Sequence, residues 1–113
     1  MSGVRIIIFV TCCFFGLTSC SFHNINMQKG MYDYKMNDYR SAFIRLKPEA
    51  IYGNPDAQYA IGYMYYYGKG VYEDRDRARY WIQRAAAKGQ PLAIAALSAL
   101  AVEKKSFPVV PTM

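Results

Sequence analysis

The sequence has few of the side chains that catalytic and metal-binding sites use. It contains one histidine, His23, and three cysteines, all of them at or before residue 20. Residues 24–113 therefore offer no thiol for a disulfide, a redox pair or a zinc ligand, and no imidazole for acid–base catalysis. His23 is interpreted as part of a linker. We expect no catalytic residue, no metal site and no cofactor, and we predict that the chain is not an enzyme.

Acidic residues are also scarce, with 8 against 14 basic ones and a formal net charge of +6. Two interpretations of this excess stay open: contact with anionic lipid head groups or acidic glycans, and a solvated face whose local ion pairs contribute about 0–1 kcal/mol each. The sequence contains no motif that reads bases, so no nucleic-acid partner is expected. The basic residues concerned are Arg75, Arg79, Arg84, Lys88, Lys104 and Lys105.

The N-terminal apolar stretch is short for a membrane-spanning helix. Residues 6–17 fall below the roughly 20 residues that such a helix needs. They follow the single positive charge of Arg5, and this combination is typical of a signal peptide. An uncleaved N-terminal anchor helix is the alternative.

The apolar stretch ends in Leu17-Thr18-Ser19-Cys20, which resembles the bacterial lipobox. In lipoproteins of this type the small residues enter a peptidase cleft, and the cysteine thiol takes a diacylglycerol. The resemblance implies a signal peptide over residues 1–19, a lipid anchor on Cys20 and a linker over residues 20–25. In such lipoproteins an aspartate directly after the lipidated cysteine favours retention at the inner membrane. Because Ser21 stands at that position here, the resemblance also implies a location at the periplasmic face of the outer membrane. Several acyl chains anchor a protein stably.

The rest of the chain repeats with a period of 36 residues. Small residues and turn-formers dominate the matching positions, and these are the residue types that close helix contacts and helix ends require. A period between 20 and 50 residues with helical segments indicates an α-solenoid. The matching pairs are Asp38 and Asp74, Ala42 and Ala78, Ala50 and Ala86, Gly53 and Gly89, Pro55 and Pro91, and Ala57 and Ala93.

A spaced motif lies within this period. Its positions are Ala57, Ile61, Gly62, Tyr65, Gly68, Gly70, Asp74, Ala78, Trp81, Ala85 and Gly89. With this spacing, residues 57–93 resemble one full SEL-one-like repeat, a relative of the tetratricopeptide repeat. The resemblance implies an all-α fold, a short α-solenoid of antiparallel helix pairs with about five helices over residues 26–104. Residues 105–113 would form a tail.

Helix-start and helix-end signals agree with that expectation. Asp74 suits an N-cap and Gly89 suits a helix end. Pro48 has no N–H to donate, so we expect a kink or an early stop there. The predicted helices are residues 26–34, 38–52, 56–67, 75–88 and 91 to about 104.

The helical period assigns a core face to the two helices of the best repeat. These helices should form an antiparallel pair in which Gly62 lets the axes approach. The core residues predicted for them are Ala57, Ile61, Met64 and Tyr65 on the first helix, and Ala78, Trp81, Ile82 and Ala85 on the second.

A tyrosine stripe lies opposite the first of these faces. Tyr59, Tyr63 and Tyr66 fall within roughly 60° of one another, and Tyr67 lies near them. Two interpretations stay open: packing against a neighbouring repeat helix, or a binding face for a partner, with Arg75 and Arg79 as peripheral contacts.

The loop between the two helices has no catalytic pattern. Gly68-Lys69-Gly70 follows a helix and is interpreted as a turn, because a phosphate-binding loop leads directly into Lys-Ser/Thr and a helix. The carboxylates of Glu73, Asp74 and Asp76 alternate with arginines. We interpret them as a paired, solvated surface that also stabilises a helix start.

Taken with the resemblance, these features predict a non-enzymatic lipoprotein that acts as a protein–protein adaptor in an envelope assembly. The resemblance suggests assemblies of the secretion, conjugation or polysaccharide-export type, with unknown envelope proteins as partners and with self-association as a further expectation. The alternative is a peptidoglycan- or glycan-binding module at the envelope.

Overall fold

The computed structural model describes residues 25–106, which form five helices and no strand. Each helix packs against the next from α2 to α5, and α1 packs against the core through Met27, Met31 and Tyr34. This arrangement confirms the predicted all-α solenoid. The helices are α1 (residues 25–35), α2 (Tyr39–Tyr52), α3 (Pro55–Tyr67), α4 (Arg75–Ala87) and α5 (Pro91–Ser106).

Several predictions fall outside the described residues. They are the signal peptide, the lipid anchor on Cys20, the linker with His23 as far as residue 24, and residues 107–113 of the predicted tail. Two bounds were wrong: residues 105 and 106, expected to begin the tail, belong to α5, and residue 25, expected to end the linker, begins α1. The side chains of Lys104 and Lys105 lie outside the described part as well.

The helix caps follow the 36-residue period. Asp38 and Asp74 cap α2 and α4, since their carboxylates accept hydrogen bonds from the N–H groups of Ser41 (3.3 Å) and Arg77 (2.9 Å). The side chains of Asn54 and Gln90, also 36 residues apart, do the same at the starts of α3 and α5. An N-cap partner satisfies an N–H that the helix itself leaves unpaired. The period therefore marks alternate helices with equivalent starts.

The expected interruption at Pro48 does not stop α2, which continues to Tyr52. Proline removes the hydrogen bond that would reach the carbonyl of Ile44. Both Pro48 and Ile44 lie on the exposed side of α2, and the side chain of Ile44 is 65% exposed. Because water can reach that carbonyl, the helix tolerates the missing donor.

The antiparallel pair α3 and α4 forms the centre of the core. A Cβ placed on Gly62 would lie 2.6 Å from Cγ1 of Ile82, so the close approach of the two helices requires glycine there. Every residue of the two predicted core faces is at most 6% exposed; these are Ala57, Ile61, Met64, Tyr65, Ala78, Trp81, Ile82 and Ala85.

The turn between α3 and α4 packs against the start of α2. Gly68 ends α3 with φ +64°, and Gly70 follows with φ +71°. A Cβ on Gly70 would lie 2.6 Å from the carbonyl carbon of Tyr39. The Gly-x-Gly pattern thus provides a tight turn that touches the backbone of another helix.

A candidate binding groove

Helix α4 packs against both α3 and α5, and two side-chain hydrogen bonds show that α3 and α5 run in the same direction. At their N-terminal ends Gln90 donates a hydrogen bond to Asp56 (3.3 Å), and at their C-terminal ends Tyr66 donates one to Glu103 (2.9 Å). Between these two ties lies a groove of about 200 Å³, which we call the tyrosine groove. It is lined by Tyr59, Tyr63, Tyr66, Tyr67, Ile82, Ala96, Ala99, Leu100 and Glu103.

All four tyrosines selected from the sequence lie on the α3 wall of the groove, but they are not equally exposed. Tyr59 is half-buried against the cluster of Ile82, Ala85 and Ala93. Tyr67 is 57% exposed at the other end of the stripe. Each interpretation of the stripe is therefore supported at one end. The end at Tyr59 packs against neighbouring helices, and the end at Tyr67 presents an exposed ring to the groove.

The aromatic surface extends from α3 to α1. The ring of Tyr34 meets the ring of Tyr63 edge to face at 5.8 Å, and Tyr63 in turn lies 4.7 Å from the ring of Tyr67. Burial, together with the neighbouring tyrosines, raises the pKa of Tyr34 well above its ordinary value. Tyr34 was missed in the sequence, because the short first helix shows no pattern that points toward α3.

The opposite wall, on α5, is apolar and built largely from small residues. Ala96 and Ala99 leave room between the helices, and Leu100 supplies a larger apolar contact. A groove with aromatic and aliphatic walls suits an apolar segment, because burial of such a segment removes apolar surface from water.

The polar groups of the groove are concentrated at its C-terminal end. Arg75 donates hydrogen bonds to the hydroxyl of Tyr66 (3.1 Å) and to a carboxylate oxygen of Glu103 (3.2 Å). Its guanidinium carbon also lies 4.4 Å from the centroid of the Tyr66 ring. We call Arg75, Tyr66 and Glu103 the rim cluster. It ties α3, the start of α4 and α5 together, and it offers a donor and acceptors beside an otherwise apolar groove.

Two members of the rim cluster, Arg75 and Tyr66, have raised pKa values. A second carboxylate, Glu73, lies 3.0 Å from Nε of Arg75 and raises the pKa of this guanidinium. The hydrogen bond to Glu103 raises the pKa of Tyr66. Tyr66 therefore stays a neutral donor at ordinary pH. Glu103 was missed in the sequence, although one acidic residue in an apolar helix is a usable signal.

The structure separates the two arginines that were predicted as peripheral contacts. Arg75 belongs to the rim cluster, whereas Arg79 lies with Gln83 in a cleft between α4 and α5, beside Leu97 and Ala101. Arg79 is not among the residues that line the tyrosine groove. The two arginines are four residues apart and therefore share a face of α4. Arg75 reaches Glu103 at the end of the groove, whereas Arg79 lines the neighbouring cleft.

A second aromatic cluster surrounds Lys47 of α2. Its ammonium group lies 4.7 Å from the ring of Trp81, 5.1 Å from that of Tyr65 and 5.3 Å from that of Phe43. It also donates a hydrogen bond to the Tyr65 hydroxyl at 3.3 Å. Cation–π contacts of this kind stabilise a packed arrangement. Lys47 thus joins α2 to the central pair and belongs to the core rather than to the groove.

The charged loop before α4 contains the ion pairs expected of it. Besides the contact between Arg75 and Glu73, Arg77 pairs with Asp74 at 3.2 Å. Within residues 25–106, no three histidine, cysteine, aspartate or glutamate side chains are grouped closely enough to hold a metal ion. None of the described helices is long and apolar enough to cross a membrane.

Comparison with known families identifies the central helix pair. The family model of the Sel1 (SEL-one-like) repeat matches residues 55–90, which include α3, the Gly-x-Gly turn and α4. No curated protein matches the chain. Sel1 repeats generally mediate protein–protein interactions and are typically non-catalytic. Residues 55–90 therefore form a Sel1 repeat, and the chain carries this repeat within a short α-solenoid.

Proposed function

We propose that the chain is a non-enzymatic adaptor that binds a segment of a partner protein in the tyrosine groove. The observation that carries this proposal is the composition of the groove, in which four tyrosines face an apolar helix and the rim cluster supplies polar groups at one end. Tyrosine is enriched at the energetic centres of protein interfaces. A tyrosine ring covers a large area at a small cost in side-chain entropy.

The site of action is part of the same proposal. The adaptor would be a bacterial lipoprotein anchored through Cys20 at the periplasmic face of the outer membrane, within an assembly of the secretion, conjugation or polysaccharide-export type. The lipobox-like sequence Leu17-Thr18-Ser19-Cys20 and the residue Ser21 support this location.

The binding proposal is tested by removing the most exposed ring of the groove. We expect Tyr67→Ser to lower the capture of cross-linked partners by about tenfold or more, since an interface hot spot contributes about 2 kcal/mol. The melting temperature should change little, because the Tyr67 side chain is 57% exposed. Cross-linking in intact cells followed by mass spectrometry measures the capture.

The matched control is Tyr72→Ser, which removes a tyrosine that is 97% exposed and lies outside the groove. Equal capture by both variants and the parent chain would contradict the adaptor proposal. Co-sedimentation with purified peptidoglycan that is lost in Tyr67→Ser alone would replace the adaptor by the glycan-binding alternative.

A further inference from the structure

Helix α5 ends close to the groove. Glu103 lies at the C-terminal end of the groove, where it accepts the hydrogen bond of Tyr66. Helix α5 ends at Ser106, less than one helical turn farther along. Residues 107–113 therefore follow directly in the chain from the end of α5 that lies near the rim cluster.

The sequence of this segment suits the walls of the groove. It is Phe-Pro-Val-Val-Pro-Thr-Met, which contains no charged side chain and has Pro108 and Pro111 three residues apart. Segments with this proline spacing favour the polyproline II conformation and dock into aromatic-lined grooves. Pro108 also disfavours the helical conformation for Phe107, so the chain is expected to leave the axis of α5 at this point.

We propose that residues 107–113 fold back into the tyrosine groove of the same chain and occupy it until a partner segment displaces them. This inference rests on the proposed function of the groove and adds a mode of regulation to it. The occupant is an extended, proline-containing apolar segment, and the tyrosine rings of α3 are its contact surface.

The reach of the segment is sufficient for this path. Seven residues in the polyproline II conformation extend about 22 Å, at roughly 3.1 Å per residue. The stripe from Tyr67 back to Tyr59 covers about 12 Å along α3, at roughly 1.5 Å per residue. The segment can therefore turn at the rim cluster and still cover the four rings.

Attachment to α5 favours occupancy by the chain's own segment. A short tether gives an effective concentration in the millimolar range. A segment that binds the groove with a Kd of about 0.1–1 mM would then fill it half of the time or more, and its removal would raise the affinity for a competing peptide about two- to tenfold.

Photo-cross-linking on the full chain in mild detergent tests the location. The variant carries p-benzoylphenylalanine in place of Val110, and a second variant carries it in place of Tyr72 as a control. We expect the first to give cross-links within one chain to the α3 or α5 wall of the groove, and the second to give none there. Cross-links only to other surfaces, or only between two chains, would overturn the proposal.

Peptide binding tests the regulation. The probe is a fluorescent synthetic peptide with the sequence of residues 106–113, and anisotropy reports its binding. A chain that ends at Ser106 should bind the probe about two- to tenfold more tightly than the full chain, and adding Tyr67→Ser to the shortened chain should weaken that binding.

Equal affinities of the full and the shortened chain would overturn the tail proposal. The outcome is independent of the adaptor proposal, which depends on the capture of partner proteins and on Tyr67→Ser in cells. A tail that binds in the groove without any captured partner would contradict the adaptor alone. Capture by a groove that never meets the tail would contradict the tail alone.

Discussion

Trp81 belongs to the second aromatic cluster and also contacts side chains of its own helix. It is 6% exposed, and the ammonium group of Lys47 and the guanidinium group of Arg84 lie 4.7 and 5.3 Å from its ring. The ring of Tyr80 meets it edge to face at 5.3 Å. The Trp81 side chain thus contacts Lys47 of α2 and also Tyr80 and Arg84 of its own helix.

We expect Trp81→Ala to lower the free energy of unfolding by about 3–5 kcal/mol, because it leaves a cavity and removes the partner of two cations. Urea unfolding followed by circular dichroism measures the loss. Tyr72→Ala, at a residue that is 97% exposed, is the control and should change stability by about 0.5 kcal/mol or less. An unchanged midpoint in Trp81→Ala would show that this ring is not part of the core.

Two glycines with positive φ allow backbone strain to be separated from steric contact. Gly70 has φ +71° and Gly89 has φ +85°, but only a Cβ on Gly70 would meet other atoms, at 2.6 Å from the carbonyl carbon of Tyr39. Gly89→Ala should therefore cost about 1 kcal/mol for the left-handed conformation alone. Gly70→Ala should cost clearly more, since the turn or the start of α2 must move.

Thermal melts of both glycine variants check this expectation. The order of the two melting temperatures is the result that matters, because the strain from positive φ is common to both. A Gly70→Ala protein as stable as Gly89→Ala would mean that the turn does not press against α2.

At the scale of the helices, α3 has two surfaces that face different helices. One contains the core residues that pack against α2 and α4, and the other carries the tyrosines that face α1 and α5. The rim cluster and the hydrogen bond between Gln90 and Asp56 hold α5 at a distance that keeps the groove open. The groove therefore depends on these ties between α3 and α5 as well as on the packing of α5 against α4.

The contact between α1 and α3 predicts a loss of stability in alkali. Burial raises the pKa of Tyr34 in the folded chain, so between the ordinary tyrosine pKa of about 10 and the raised value the unfolded chain binds fewer protons than the folded one. The contribution of the neutral Tyr34 to the free energy of unfolding is therefore fully present below pH 10 and is lost as the pH rises above it.

Urea midpoints measured from pH 8 to pH 11.5 test this sign. The decline should be shallower in Tyr34→Phe, which keeps the ring and removes the titrating hydroxyl. Tyr72→Phe, at a fully solvated ring, serves as the control and should leave the decline as it is. A parallel decline in parent and Tyr34→Phe would assign the alkaline loss to other groups.

At the scale of the whole molecule, the described part is a short solenoid with an open end. Leu92, Ile94 and Val102 of α5 are 57%, 52% and 69% exposed, whereas the terminal repeats of a solenoid usually present a polar outer face. This surface is consistent with docking in a larger assembly. Self-association stays a prediction.

The proposed membrane address concerns the whole chain, and Cys20 is the residue at which it can be tested. Cys20→Ser should abolish lipid attachment and leave an unprocessed precursor, because the hydroxyl cannot replace the thiolate as the nucleophile that accepts the diacylglycerol. Mass spectrometry of the parent chain and the variant measures both changes. An intact Met1 without an acyl mass on Cys20 in the parent chain would contradict the lipoprotein proposal.

Much of the fold was predictable because its signals are local. Asp38, Asn54, Asp74 and Gln90 cap successive helices through hydrogen bonds that span two or three residues, so the sequence shows where each helix begins. The core faces of α3 and α4 follow from the helical period. The effect of Pro48 was not predictable, because it depends on whether the Ile44 carbonyl, which loses its hydrogen-bond donor, faces water or the core.

By itself the sequence determined the helices, the 36-residue repeat, the core faces of the central pair and the identity of the four tyrosines. Only the tertiary structure decided that these tyrosines face α5 across a groove, that Glu103 and Arg75 close its end, and that Arg79 lies elsewhere. The hydrogen bonds from Arg75 and Tyr66 to Glu103 join residues 28 and 37 positions apart in the chain. Their distances depend on how helices pack in space, because hydrophobic periodicity states which face is buried but not which neighbour covers it.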